Sequence, residues 1–248
     1  MGKQEIRTAM ILAAGFGTRM KNIMNNTPKP LLPLGSTNLL HLNLIKMYNA
    51  GIKRVVINLH HYADKIKNYL YYNPIPHLEI LFSEEKTILG TGGGIANAEK
   101  YFENENILVT NADIISNLNY QDFFDRFYSL DPLASIAVLP SKNYLEYGLI
   151  TYDKNKLTSF KLRNEIPEPE EKTAIFMGYH ILTPQARKYL KPIFSSIITS
   201  CYYQVLKADQ YINVYIHNGL WIDVGTREKY LDILDLIEKG KIHLDSFK

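Results

Sequence analysis

Residues 11–20 read Ile-Leu-Ala-Ala-Gly-Phe-Gly-Thr-Arg-Met, and residues 27–35 read Thr-Pro-Lys-Pro-Leu-Leu-Pro-Leu-Gly. An apolar strand, Thr8–Ala14, thus runs into a loop opened by Gly15 and Gly17, with Arg19 at its far end. Further on, Lys29 is pinned between Pro28 and Pro30, which stiffens its backbone and places its ammonium. Small residues let backbone N–H groups approach phosphate oxygens, and two placed cations meet the remaining charge. The pattern suits a nucleoside triphosphate. It is not a Walker A loop, because no Gly-Lys-Ser/Thr follows, and Met20 takes the place of a dinucleotide loop's third glycine.

Outward from this stretch, apolar runs alternate with helical patterns. Arg54–Leu59, Glu79–Ser83, Ile107–Asn111 and Ala134–Leu139 read as further strands, several apolar enough for burial on both faces. Leu39–Ala50, Ala63–Tyr71, Ile95–Tyr101 (entered through Gly92-Gly93-Gly94) and Tyr120–Ser129 read as helices. Such alternation predicts an α/β fold: a Rossmann-like mixed sheet, mostly parallel, with helices on both faces. From about Gly148 the pattern turns to short antiparallel strands, Leu149–Tyr152, Lys156–Leu162 and Ala174–Leu182, with Asp153-Lys154-Asn155 as a turn. Helical patterns return at Gln185–Leu190 and Ile197–Ala208, then strands at Ile212–Ile216 and Leu220–Asp223, and a last helix over Thr226–Gly240. No linker separates the parts. The expectation is a single domain over 1–248, with a first part at about 8–140, a small β-rich part at about 141–225 and a C-terminal helix at about 226–240.

The bulk properties narrow the function. Apolar residues at 46% and charged residues at 21% fit a folded soluble chain. A net charge of +3 with scattered Lys and Arg argues against a nucleic-acid binder. The only cysteine, Cys201, allows no intramolecular disulfide and points to a reducing, cytoplasmic setting. No signal-peptide pattern or membrane-length apolar run occurs, so no membrane partner is expected. Nothing in the sequence sets an oligomeric state.

In open α/β sheets, ligands bind beyond the carboxyl ends of the strands. The Gly15 loop, Asn111-Ala112-Asp113, and Asp223 after Trp221-Ile222 all fall there. Two converging carboxylates beside a triphosphate suit Mg²⁺, which favours one or two carboxylates with phosphate oxygens and water. Asp113 and Asp223 are therefore the candidate metal ligands, and Arg19, whose fork suits β- and γ-phosphate oxygens, and Lys29 the candidate cations. Each has a plainer alternative: a helix cap or loop carboxylate for the acids, a solvated side chain for the cations. His60-His61 lacks a third ligand at a recognisable spacing, and most of the eighteen tyrosines read as packing residues.

The run from Leu12 to Arg19, together with Thr27-Pro28-Lys29-Pro30-Leu31, resembles the signature of the sugar-1-phosphate nucleotidyltransferases. Gly90-Thr91-Gly92-Gly93-Gly94-Ile95, Asn111-Ala112-Asp113 and Trp221-Ile222-Asp223-Val224-Gly225-Thr226 resemble that family's later motifs, in order. Within the family, the Thr-Gly-Gly-Gly-Ile run, the Trp-Ile-Asp-Val-Gly-Thr ending and the lack of a β-helix look most similar to the N-acetylmuramate-1-phosphate uridylyltransferases. The same traits recur in heptose- and mannose-1-phosphate guanylyltransferases.

The resemblance implies that a sugar 1-phosphate oxygen attacks the α-phosphorus of a nucleoside triphosphate and pyrophosphate leaves. It also implies nucleotide binding for the part at about 8–140 and sugar binding for the β-rich part at about 141–225. The donor would be UTP and the acceptor N-acetylmuramate 1-phosphate; a guanylyl-, cytidylyl- or thymidylyltransferase is the alternative, and a non-catalytic nucleotide-sensing domain a weaker one. Leu12, Ala13, Ala14, Gly15, Gly17 and Thr18 would hold base and phosphates, and Arg19 the leaving pyrophosphate. Lys29 would bridge the α-phosphate and the incoming phosphate, while Asp113 and Asp223 held Mg²⁺. Glu85 would accept from a pyrimidine imide, with Gly90, Thr91 and Gly92 adding base contacts. Gly148, Gly178 and Tyr179 would floor the sugar pocket. The family's Glu-Lys-Pro motif is missing; Lys161-Leu162-Arg163-Asn164 stands in that neighbourhood, making Arg163 or Lys161 the candidate replacement for its lysine.

Overall fold

A computed structural model of the chain describes residues 5–20, 26–141, 147–161 and 165–247, with the Arg19 side chain outside that set. In chain order its strands are β1 Thr8–Leu12, β2 Pro33–Leu34, β3 Thr37–Asn38, β4 Arg54–Leu59, β5 Glu79–Glu84, β6 Ile107–Asn111 and β7 Ile114–Ser116. They continue as β8 Ala134–Pro140, β9 Leu149–Asp153, β10 Lys156–Lys161, β11 Thr173–Leu182, β12 Ile212–Ile216 and β13 Trp221–Asp223. The α-helices are α1 Leu39–Asn49, α2 Ala63–Tyr72, α3 Gly90–Asn97, α4 Tyr120–Leu130, α5 Pro184–Arg187, α6 Tyr203–Lys207 and α7 Arg227–Glu238.

Nine strands form one sheet in the order β5-β4-β1-β6-β11-β8-β12-β10-β9. β1 lies parallel between β4 and β6, so Leu12 stands level with Asn58 on one side and Asn111 on the other. The pairings make β5, β4, β1, β6, β8, β12 and β9 run one way, with β11 and β10 opposed to them. The mostly parallel mixed sheet expected from the alternation is what forms. β11 is long enough to pair with β6 through its last residues and with β9 through its first, so the β-rich part is continuous with the first half of the sheet.

The period of two along β1 sorts its side chains to two faces. Ala9 and Ile11 pack in a core with Leu40 and Leu44 of α1, Ile66 of α2 and Phe123 and Phe127 of α4. Met10 points the other way, into a core with Ile95 of α3, Ala186 of α5 and Val205 of α6. Helices therefore cover both faces. A third cluster joins Met20, Leu32 and Leu34 of the loops after β1 to Tyr230 and Ile233 of α7 and to Ile242 and Phe247.

Two local differences from the sequence expectation have physical causes. β1 ends at Leu12 rather than Ala14, because the Ala13 N–H leaves the ladder and donates to Asn58 Oδ1 at 2.7 Å. Gly92–Gly94 do not lead into a helix; they lie inside α3. Glycine is poor in a helix by about 1 kcal/mol against alanine, but here close approach decides. A Cβ on Gly93 would stand 2.1 Å from the Ile193 carbonyl oxygen, and Gly92 N donates to Ser195 O at 2.9 Å. Farther on, the expected helix over Ile197–Ala208 is a π-turn, Ile198–Tyr202, running into α6.

Candidate functional site

Beyond the carboxyl ends of β1, β4 and β6 lies a cavity of about 320 Å³. Leu12, Ala13, Ala14, Gly15, Gly17 and Thr18 form one wall, Asn111, Ala112 and Asp113 another, and Gly90 and Thr91 a third. Lys29, Pro30, Asn58, Glu85, Ile88 and Gly225 complete it. The loop after β1 is held by the 3-10 turn Thr18–Met20, whose Met20 side chain is 1% exposed and anchored in the third cluster. Arg19 sits in this turn; its side chain lies outside the described residues.

One end of the cavity is rich in acceptors. Glu85 is only 5% exposed, yet both its oxygens are served: Asn58 Nδ2 donates to Oε1 at 2.7 Å and Leu89 N to Oε2 at 2.8 Å. A buried carboxylate oxygen without such a donor would be left unsatisfied. Asn58 also takes the Ala13 N–H, so one amide links the loop after β1 to Glu85. Gly94 makes room for this pair, since a Cβ there would fall 2.8 Å from both Asn58 Nδ2 and Glu85 Oε1.

The other end holds charge pairs. Lys29 Nζ is bonded to Asp113 Oδ2, with the lysine side chain 12% and the aspartate 29% exposed. Asp223 reaches the same region through a two-stranded ribbon, in which β13 pairs antiparallel with β7, Asp223 opposite Ile114. Val224 N donates to Asp113 O at 2.9 Å, which fixes the two acid-bearing turns side by side. Lys229, at the start of α7, places Nζ 3.8 Å from Asp223 Oδ2 and hydrogen-bonds the Tyr147 hydroxyl. Two aspartates distant in sequence thus share one ribbon, each beside a lysine.

The chemistry of this donor set fits a hard divalent cation. Asp113 in the cavity wall and Asp223 on the adjoining turn offer the one or two carboxylates Mg²⁺ takes from protein, with phosphate oxygens and water to finish its shell. Among the described residues there is no cluster of three or more His, Cys, Asp or Glu side chains that would make an all-protein metal cage.

Other expected residues fall differently. Gly92 is buried inside α3 with its Cα facing Ser195 and Ser200, away from the cavity lining. Tyr179 is fully buried among Tyr120, Phe123 and Met177, so it packs beneath the site rather than facing a ligand. The pleat explains this: at the register shift between Phe176 and His180, Gly178 takes φ +80° and lies against Asn111 and Ile114, which turns Tyr179 inward. Gly148 is exposed beside the Lys161 carbonyl, and Arg163 lies outside the described residues. Lys161 Nζ is 3.1 Å from Glu171 Oε2. His60 lends Nδ1 to the Glu85 carbonyl oxygen at 2.8 Å. Burial pushes the Cys201 thiol up to about 12, which leaves it no nucleophile.

Asn58 and Lys229 were not singled out from sequence. Asn58 is the penultimate residue of the apolar strand β4, level with Leu12, a place where a buried amide has a backbone group to serve. Lys229 lies three residues past the Thr226 cap, and only the ribbon's folding reveals its neighbour.

Residues 8–240 match the nucleotidyl transferase family, and the chain belongs to it. It is 28% identical over 153 residues to the D-glycero-alpha-D-manno-heptose 1-phosphate guanylyltransferase of Aneurinibacillus thermoaerophilus, covering 62% of this chain and 66% of the relative. It is 25% identical over 228 residues to the catalytic subunit beta of mannose-1-phosphate guanylyltransferase from Drosophila melanogaster, covering 90% of this chain and 60% of that one. The chain thus spans 60% to 66% of the length of these two relatives. Among solved structures, HddC from Yersinia pseudotuberculosis superposes with TM-score 0.77 at 26% identity, over 94% of this chain and all of that one. A UDP-glucose pyrophosphorylase bound to UDP-glucose superposes at TM-score 0.80 with 18% identity, over 95% and 99% of the two chains, a likeness of fold.

Proposed function

We propose that this protein transfers a guanylyl group from GTP to a sugar 1-phosphate of the mannose or heptose type. An acceptor phosphate oxygen bonds to the α-phosphorus, the bond to the β-phosphate bridging oxygen breaks, and pyrophosphate carries away the electron pair. The observation that carries this reading is one cavity with a buried carboxylate, Glu85, at one end and the Lys29–Asp113 pair at the other. A guanine edge presents N1–H and N2–H donors, and each Glu85 oxygen keeps acceptor capacity beyond its one donor. The named relatives are guanylyltransferases, so this alternative takes precedence over the UTP and N-acetylmuramate reading of the sequence.

Catalysis here is positioning and charge neutralisation, as expected for phosphoryl-type transfer. The loop from Leu12 to Thr18 cradles the triphosphate, with Gly90 and Thr91 beside the base. Lys29 leaves Asp113 to meet the α-phosphate, and Arg19 holds the departing pyrophosphate. Asp113 and Asp223 would hold Mg²⁺, which supplies charge neutralisation on the phosphate oxygens. The β-rich part at about 141–225 receives the sugar in the same domain. Cys201, a lone buried thiol, supports a reducing cytoplasmic setting, and no helix among the described residues is long and apolar enough to cross a membrane.

Pyrophosphate release measured with four nucleoside triphosphates against a panel of sugar 1-phosphates tests this. GTP with mannose or heptose 1-phosphate is the expected best pair. Faster turnover with UTP and N-acetylmuramate 1-phosphate would move the assignment to uridylyl transfer, and no release with any pair would overturn the enzyme reading.

A further inference from the structure

β7 is three residues long and follows Asp113 without a break. One edge pairs with β13, and no strand pairs with the other. On the β13 side the Asp113 carbonyl accepts from Val224 N at 2.9 Å, and Asn117 N donates to Leu220 O at 3.1 Å. Successive residues of a strand bond toward opposite edges, so the carbonyls of Ile114 and Ser116 face away from β13. Both residues are buried, and an acceptor left bare there would be costly.

α1 supplies the partner that a strand would have been. Asn43 and Lys46 lie three residues apart, hence on one face of the helix, and both reach the open edge of β7. Asn43 Nδ2 donates to Ile114 O at 3.1 Å and to Leu39 O at 2.9 Å, while Lys46 Nζ donates to Ser116 O. Asn43 is buried, and its amide has two N–H donors. One goes to its own helix and the other to β7. Asparagine is a poorer helix former than leucine, so its place among Leu39, Leu40, Leu42 and Leu44 is explained by what it holds outside the helix.

The bond from Asn43 falls one peptide beyond Asp113, whose side chain lies in the cavity wall with Lys29 on its Oδ2. The backbone around Asp113 is therefore held twice, from β13 through its own carbonyl and from α1 through the next. We propose that Asn43 is a positioning residue for nucleotidyl transfer, aiming the Asp113 carboxylate by fixing the Ile114 peptide. This rests on the reading above in which Asp113 meets metal and phosphate. Lys46 secures the far end of the same strand, three residues from the acid.

Asn43→Leu removes the donor with little change of side-chain size and raises helix propensity. The test compares it, in the full chain, with Val205→Ala, a core truncation on the other face of the sheet. Asn43→Leu is expected to lower kcat about 10- to 100-fold, the usual scale for groups that orient a metal-binding side chain. Val205→Ala should stay near the wild type at a temperature where both variants are folded. In an Asp113→Asn background no carboxylate is left to aim, so Asn43→Leu should cost nothing further. Losses that multiply in the double variant, or an equal loss in Val205→Ala, would overturn the assignment.

A second measurement is independent of turnover. Calorimetry without acceptor gives the affinity for the triphosphate that supports the fastest release, or for GTP where none does, with and without Mg²⁺. The gain that Mg²⁺ confers should shrink in Asn43→Leu. An undiminished gain, or no gain in the wild type, overturns the assignment. A wild type that gains from Mg²⁺ and releases no pyrophosphate with any acceptor would end the enzyme reading, and a smaller gain in Asn43→Leu would still uphold Asn43 as the residue that places Asp113.

Discussion

Lys29 and Asp113, 84 positions apart, close on one another in the wall of the cavity. On the proposed function, a triphosphate and a metal would separate this cation from its anion. Asp113→Asn should lower pyrophosphate release by about 100-fold or more, the scale of losing a transition-state charge contact. Removing one charge of this largely buried pair also costs stability, so the melting temperature is measured alongside to separate loss of chemistry from loss of fold. Retained activity would remove Asp113 from the metal and phosphate machinery.

Asn58 is 2% exposed and serves two partners, the Ala13 N–H and Glu85 Oε1. Replacing it by alanine strands a buried donor and a buried carboxylate oxygen together. Urea denaturation of Asn58→Ala should show a loss of about 1–3 kcal/mol, and KM for the nucleotide should rise because the loop after β1 loses its lateral tie. A nucleotide KM equal to the wild type's would show that the loop holds its shape without Asn58.

Gly178 has φ +80°, and a Cβ there would stand 2.4 Å from Ile114 Cδ1 and 2.8 Å from Asn111 Nδ2. Gly178→Ala combines left-handed strain with overpacking, and a loss of about 1–3 kcal/mol is expected from the overpacking alone. Because Ile114 follows Asp113, turnover should fall further than stability explains. Comparing kcat with the melting temperature, against a destabilised control far from the cavity, checks this.

Burial pulls the Lys46 ammonium down to about 7. It is 8% exposed, donates to the Ser116 carbonyl on β7, lies 4.8 Å from the Tyr120 ring centroid and faces His217, itself lowered by burial. Between pH 7 and the ordinary lysine value of 10.5 the unfolded chain binds the extra proton and the folded chain does not. Stability from this group therefore rises with pH across that window, and its penalty is complete below pH 7. Lys46→Met should remove this slope. Denaturation curves of both proteins at pH 7 and pH 9.5 test it, the stability difference between them changing with pH in the direction given.

The parts of the site that could be read from sequence are those where an apolar run stops at a chemically marked residue. Asp113 two places after β6, Asp223 at the end of β13 and the glycines after β1 all announce themselves by position along a strand. Asn58 interrupts its apolar run one residue before the end of β4, but a lone amide there carries no local sign of the two groups it serves. The helical state of Gly90–Gly94 was hidden because its cause, the backbone of Ile193–Ser196, lies a hundred residues away. Tyr179 misled for a related reason: the bulge at Gly178 rotates it into the core, and a bulge is set by the partner strand. The departure at Lys161–Asn164 is visible in the sequence as a missing motif.

The Tyr230 hydroxyl donates to the Pro33 carbonyl oxygen at 2.7 Å across 197 positions of chain, and Met20, Leu32 and Leu34 pack on Ile233, Ile242 and Phe247. During synthesis the loops after β1 are therefore made early, with Leu39 and Leu42 of α1 beside them, and the last of their cover arrives with α7 and the residues beyond it. A nascent chain would hold these loops from one side only until that final helix closed the other.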